Sequence, residues 1–519
     1  MNRAKKYFIN ALLLSCVTVI MRGVSVSFNA YVTQKIGSEA IGLFTLVMSV
    51  YGLAVTLASS GVNLAAVRMT AECLATCEDM GASEKTLKRS LRREMRGCLV
   101  YSTLFGVFAS LLLYILSRII GTYILCDERT ILSLKVLSFA LFPISVTSAL
   151  AGYFTGLRKI YKNACISLAE QFVKIFITSC ALMTIAPKGI EYACLSVVGG
   201  SAISEGASLL LSFILYLTDK NKSEGKIRDI PKGRKSPLTR AFEIAFPVAL
   251  GSYVRQGLLC AEHIAIPAGL RRFGAGGSAA LSAYGTLQAM AFPLIFFPSS
   301  VIGAFASLLI PELTECASLG YHQRVRRISE KVVRFTLIFS IGCAGLFFAF
   351  GEDMGKSIYS SGEAGKYIFA FAPLVPIMYL DTAVDSVLKG LGKQVYCMKV
   401  NIIDATLSLI LVLILVPLFG TWGYIVCVYL AEILNATLSI GKMLTTTRIN
   451  ISPFWIIKPV IGILLSTMLI RILTSFFPLF DTTSVKLVLS IFIYLVFIIP
   501  KAAFIRKKSY KREKATITP

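Results

Sequence analysis

The side chains with the most chemical content in this chain are ionisable residues set inside long apolar runs. Arg22 and Arg255 each stand within such a run. A permanently charged guanidinium is costly there unless it faces a cavity or a partner, and its planar fork can grip phosphate or carboxylate oxygens in pairs. The alternative for each is an ion pair with a nearby acid, or a reach toward a membrane surface. Glu170 and Lys174 lie four residues apart with the acid first, a spacing that predicts an ion pair on one helix face. Asp381, Asp385 and Lys389 form a similar ladder, in which Lys389 neutralises Asp385 and leaves Asp381 for a ligand. Glu205, Asp404 and Glu432 are further candidates for cavity or coupling charges, since a carboxylate there can take up a proton or a cation.

These charges need elements that hold them in an apolar setting. Residues classed as hydrophobic make up 55% of the chain and charged ones only 16%, which is far from the balance of a soluble domain. The apolar residues come in runs of about twenty, enough to cross a hydrocarbon core as a helix, which satisfies its own backbone hydrogen bonds. Fourteen spans are expected, at 7–31, 41–63, 97–117, 132–155, 164–186, 192–217, 241–267, 284–310, 332–350, 367–388, 398–418, 422–441, 455–477 and 485–504. The formal charge of +25 does not point to nucleic acid, because the basic residues sit between apolar runs and form no basic module. The 13 cysteines show no CxxC pair, and with two histidines there is no metal-ligand spacing, so packed thiols and no cofactor or metal are expected. No glycine-rich nucleotide loop is present, and the short connections leave no room for a catalytic domain; an enzyme is not expected.

The basic residues also set orientation. Lys5 and Lys6 precede the first span; Lys88, Arg89, Arg92 and Arg93 follow the second; Lys226 to Lys235 follow the sixth; Arg324, Arg326 and Arg327 follow the eighth; Arg506 to Lys514 form the tail. The connections after odd-numbered spans are poor in Lys and Arg. The basic side is therefore expected in the cytoplasm, with both termini there. Residues 84–96 read as a basic amphipathic surface helix. A six-span unit recurs: Gly156-Leu157 with Lys159 returns as Gly390-Leu391 with Lys393, an offset of 234 that also carries Glu170 onto Asp404. Each copy follows a span with a proline, Pro143 or Pro376, expected in mid-helix, and Arg22 falls close to Arg255. The division expected is an N-lobe at 1–218, a basic linker at 219–240, a C-lobe at 241–442, two extra spans in 443–504 and a basic tail at 505–519. An even repeat keeps both copies in the same orientation, with a pseudo-twofold axis along the membrane normal.

Arg22-Gly23, Gly37-Ser38-Glu39-Ala40-Ile41-Gly42-Leu43 and Ala58-Ser59-Ser60-Gly61, followed by Phe297-Pro298-Ser299-Ser300, Lys389-Gly390-Leu391-Gly392-Lys393-Gln394 and Val416-Pro417-Leu418-Phe419-Gly420, stand in an order that resembles polysaccharide exporters. The chain resembles the stage V sporulation protein B branch of the multidrug/oligosaccharidyl-lipid/polysaccharide flippase superfamily over roughly residues 10–445. The resemblance implies an all-α fold of two six-helix lobes in a V, with an extra helix pair that holds a lipid tail. It implies flipping of sugars linked to undecaprenyl pyrophosphate across a bacterial cytoplasmic membrane by alternating access. Arg22, Arg255 and Asp381 would contact substrate, and Glu170, Lys174, Glu205, Asp385, Asp404 and Glu432 would line the cavity or couple a sodium ion or proton. Membrane lipids would be the other partners. Spans two and eight lack the core basic residues of the peptidoglycan-precursor flippases, which weakens that one substrate assignment. The alternative is a cation-coupled multidrug antiporter of the same superfamily. In a cysteine-free background, single cysteines replacing Lys226, Arg326 and Lys511 are expected to label only from the cytoplasmic face, and those replacing Gly276 and Ser361 only from outside. Outside labelling at position 226 reverses the orientation.

Overall fold

A computed structural model of the chain describes residues 3–79, 84–220, 236–476 and 482–498. The basic linker from 221 to 235, with Lys226, and the tail from 499, with Lys511, lie outside the described residues. Among the described residues every regular element is helical. In chain order they are α1 (Arg3–Ser59), α2 (Val62–Asp79), α3 (Glu84–Ile119), α4 (Thr130–Gly156), α5 (Ile160–Thr184), α6 (Ile190–Lys220), α7 (Pro237–Arg272) and α8 (Gly277–Gly285). Then follow α9 (Phe292–Phe296), α10 (Ser299–Ser318), α11 (His322–Tyr359), α12 (Gly362–Phe371), α13 (Val375–Gly390), α14 (Gln394–Thr447), α15 (Phe454–Phe476) and α16 (Thr483–Ile498). Among the described residues 11 helical stretches are long and apolar enough to cross a membrane, and α16 is a shorter apolar helix. The chain is a multi-pass, all-α membrane protein.

Local chemistry explains where the helices stop or bend. The first two expected spans run together as α1 and break at Gly37, whose φ of 81° is open to glycine at little cost. The pair expected at 398–418 and 422–441 likewise shares α14, broken at Gly420 with φ 61°. Ser236 caps α7 by accepting from the Thr239 amide at 3.2 Å, with Pro237 at the first position, where no backbone N–H is needed. Two expectations change. Pro143 does lie inside α4, but Pro376 sits in the first turn of α13, after a short 3-10 turn at 372–374, so it starts a helix. Residues 84–96 are also no separate surface helix. They continue into α3, and Ser90, Leu91, Glu94 and Met95 are buried against protein, while Arg89, Arg93 and Arg96 face outward. The repeat junctions share one backbone device: Arg158 after α4 and Gly392 after α13, again 234 apart, both take positive φ, 60° and 73°.

The chain divides into two compact units. Unit 1 holds 1–34, 286–404 and 425–519; unit 2 holds 35–285 and 405–424. In unit 2 the core forms where α2, α3, α4 and α7 meet, through Ala65, Ala66, Met69, Met95, Cys98, Ala149, Leu150, Ala241 and Ala245. Five alanines stand at these contacts, because lipid supplies no hydrophobic drive between helices and close backbone approach must supply part of the attraction. A Cβ on Gly152 would lie 2.5 Å from the Asn63 carbonyl oxygen. The Ser145 hydroxyl lies 2.6 Å from the Ala58 carbonyl oxygen and 2.8 Å from that of Ser102, tying α4 to its neighbours. In unit 1, α11 packs on α12, α13 and α15, and α15 carries α16. The Tyr494 hydroxyl donates to the Ile338 carbonyl at 2.6 Å, and the Tyr379 hydroxyl donates to that of Ile295.

Gly61 combines positive φ, 77°, with a site where a Cβ would fall 2.3 Å from the Ala245 carbonyl oxygen. Gly61→Ala is expected to cost on the order of 2–4 kcal/mol, through strain and overpacking together. Gly276, which has nothing within 4 Å of an added Cβ, is the matched control. Thermal unfolding in detergent should show a lowered midpoint for the first substitution and an unchanged one for the second.

Candidate functional site

The intramembrane charges sort by unit. In unit 2, Glu170 and Lys174 on α5 and Glu205 on α6 are all half-buried. The helices α5 and α6 pack along each other, and that brings Glu205 toward the other two. The expected ion pair is not made: among the described residues Glu170 and Lys174 form no direct contact. Lys174 instead feels both Glu170 and Glu205, and the buried Tyr51 of α1 lies near the same two acids. The spacing of four permits a pair, but a second acid across the helix interface competes for the cation.

Unit 1 holds the counterpart. Lys389 binds Asp385 at 3.0 Å on α13, as the ladder suggests. Asp381, one turn earlier, receives a longer hydrogen bond of 3.3 Å from the Asn435 side-chain amide of α14, and its Oδ1 has no partner among the described residues. Asp404 and Glu432, both half-buried on α14, lie within electrostatic reach of Asp381. The structure therefore brings Asp381, Asp404 and Glu432 into one acidic cluster, although the sequence separates them by tens of residues. Among the described residues no group of three or more His, Cys, Asp or Glu is placed to hold a metal ion. Arg22 on α1 in unit 1 and Arg255 on α7 in unit 2 are exposed side chains, and neither makes an ion pair among the described residues.

A family model described as "Polysaccharide biosynthesis protein" matches residues 8–256. The chain is 26% identical over 427 residues to stage V sporulation protein B of Bacillus subtilis (strain 168), a match covering 81% of this chain and 80% of that protein. The chain is thus similar to the polysaccharide biosynthesis family over its first half and to stage V sporulation protein B over most of its length. Among solved structures the chain resembles the lipid II flippase MurJ in an inward closed conformation, with a TM-score of 0.70 at 14% identity, over 95% of this chain and 99% of that one. It also resembles an inward-facing multidrug resistance MATE family transporter of the MOP superfamily, with a TM-score of 0.63 at 12% identity, over 84% and 99%. At these identities the likeness is one of fold.

Three charged groups in this chain were not singled out by sequence reasoning. Arg240, at the start of α7, donates to Glu94 of α3 at 2.8 Å and to Glu72 of α2 at 2.7 Å, so one cation ties three helices of unit 2. At the other end of the same helices, Arg129 binds Asp127 at 2.7 Å and Glu39 at 2.9 Å, and Ser278 donates to the second Glu39 oxygen at 2.5 Å. Hydrogen bonding to Asp127, and then to Glu39, holds the Arg129 proton more firmly than in a free guanidinium, so this clasp keeps its positive member across any working pH. Buried Glu262 of α7 accepts from Ser408 at 2.7 Å. The signal for Glu262 was in plain view, an acid inside an apolar run. For Arg240 there was none, since it sits at a span end among many basic residues. Arg240→Met strips Glu94 of its cation and leaves Glu72 with Arg68 alone, and is expected to cost about 2–4 kcal/mol, while adding Glu72→Gln and Glu94→Gln recovers most of it, because a buried pair broken on one side costs more than one removed whole. Detergent melting of the single and triple variants measures this; equal losses in both would place the energy in packing.

Proposed function

We propose that this chain is a flippase for lipid-linked oligosaccharides or peptidoglycan-type precursors, carried on an undecaprenyl pyrophosphate lipid. It would act by alternating access in a bacterial cytoplasmic membrane, with both termini cytoplasmic. The observation that carries the proposal is the two guanidinium groups, Arg22 and Arg255, which make no ion pair among the described residues and stand in apolar helices of a chain whose fold resembles a lipid II flippase. A pyrophosphate taken through a low-dielectric region costs several kcal/mol or more if left unpaired. A fork that stays charged and finds no acid of its own is suited to meet it. In the division read from the repeat, 1–218 and 241–442 form two lobes about a pseudo-twofold axis, Arg22 and Arg255 supply one cation to each, Asp381 completes the contact, and 443–504 holds the lipid tail.

The acidic clusters belong to the driving step in this reading. Glu170 with Glu205, and Asp381 with Asp404 and Glu432, are like charges within electrostatic reach of one another. Taking up a proton or sodium ion relieves that repulsion and favours one arrangement of the helices over the other. The same clusters favour the second reading, a cation-coupled multidrug antiporter, in which the acids would bind the cargo and the arginines would be dispensable.

Arg22→Ala and Arg255→Ala are each expected to cut movement of a labelled undecaprenyl pyrophosphate sugar across proteoliposomes by at least about tenfold, the loss of one charge-assisted contact. Lysine at either position should restore part of it, since it keeps the charge and loses the fork. Full transport by the double alanine variant would remove both residues from the mechanism and favour the antiporter.

A further inference from the structure

Unit 1 contains a charged cavity whose lining includes none of the charges assigned above to substrate or coupling. Its volume is about 330 Å3, within the range of small-molecule sites, and its walls come from α11, α12, α15 and α16. Every wall lies near the same end of its helix. Residues 348–353 close one apolar run that 369 reopens, and Arg471 lies near the close of another that Lys486 reopens. The cavity therefore lies at headgroup depth on one membrane face, where polar and apolar surroundings meet.

The lining carries both signs. Arg471 and Lys486 contribute two cations, Glu352 and Asp353 two carboxylates. The Arg471 guanidinium donates to the Ala349 carbonyl at 2.7 Å, which anchors it and leaves further N–H groups on the fork. Lys486 lies 3.4 Å from Asp353, with only 15% of its side chain exposed. Beside them the rings of Phe348 and Phe369 stack at 4.6 Å, and both are open to the surroundings. A bare phosphate or an anionic lipid would meet two carboxylates here, and a simple cation would meet two bases. A group carrying phosphate and ammonium together meets complementary charge at both ends. We infer that this cavity binds the headgroup of a phospholipid bearing a primary ammonium. The phosphate lies on Arg471 and Lys486, the ammonium on Glu352 and Asp353, and the acyl chains against Phe348 and Phe369.

The test is native mass spectrometry of the delipidated full-length protein, titrated separately with phosphatidylethanolamine, phosphatidylcholine, phosphatidylglycerol and inorganic phosphate. Phosphatidylethanolamine adducts are expected at about tenfold lower concentration than those of the other two lipids. Glu352→Gln with Asp353→Asn should erase that preference, and Arg471→Gln with Lys486→Gln should weaken all three lipids. Melting curves report folding, and the exposed Glu352→Gln alone serves if a double variant fails to fold. Tighter phosphatidylglycerol binding would make this an anionic-lipid site, and competition by inorganic phosphate a free-phosphate site. Equal retention of all lipids by wild type and variants would leave no headgroup site. Each of these three results overturns the inference.

Discussion

Hydrocarbon offers a polypeptide no hydrogen-bond partner, and the rest of this structure follows from that. Each backbone N–H and C=O within the bilayer must be paired inside the protein, and a helix does so within a single segment. The chain answers with helices throughout its described length. It breaks them where the break is cheap: at Gly37 and Gly420, which accept positive φ, and at prolines placed in a first turn. Where helices meet, glycine, alanine and serine allow close approach, and hydroxyls such as those of Ser145 and Tyr494 bridge to backbone carbonyls of neighbouring helices.

The same constraint governs charge. An ion in this setting is kept only if something compensates it, and each unit shows the compensation in a different form. Arg240 and Arg129 sit at opposite ends of the unit 2 helices and each collects two carboxylates. These are fastenings, in which both carboxylates touch the cation directly. The clusters around Glu205 and around Asp381 differ, since among the described residues neither Glu205 nor Asp381 makes a direct ion pair with a cation.

Family likeness and fold carry different weight here. The match to stage V sporulation protein B spans most of both chains, and it is a likeness of sequence as well as of fold. The likeness to MurJ and to a MATE transporter extends further along the chain at lower identity, and says how the helices are arranged. One fold serving lipid flipping and drug extrusion makes the charged side chains the discriminating feature.

The sequence by itself determined the membrane setting, the all-helical class and the resemblance to the family, because those rest on run length, composition and the order of local motifs. It also pointed to Lys389 beside Asp385, a pair within one helical turn. The run lengths could not tell a break within a helix from a connection between two, so Gly37 and Gly420 read as loops. Tertiary structure decided which charges belong together. Lys174 is within electrostatic reach of Glu205 on the neighbouring helix as well as of Glu170 on its own, and Arg240 reaches acids 146 and 168 residues away. Asp381, Asp404 and Glu432 cluster only once α13 and α14 are folded side by side. Helical periodicity encodes neighbours three and four residues apart, whereas the partner of a buried charge is set by which helix packs against it, and that is a property of the assembled fold.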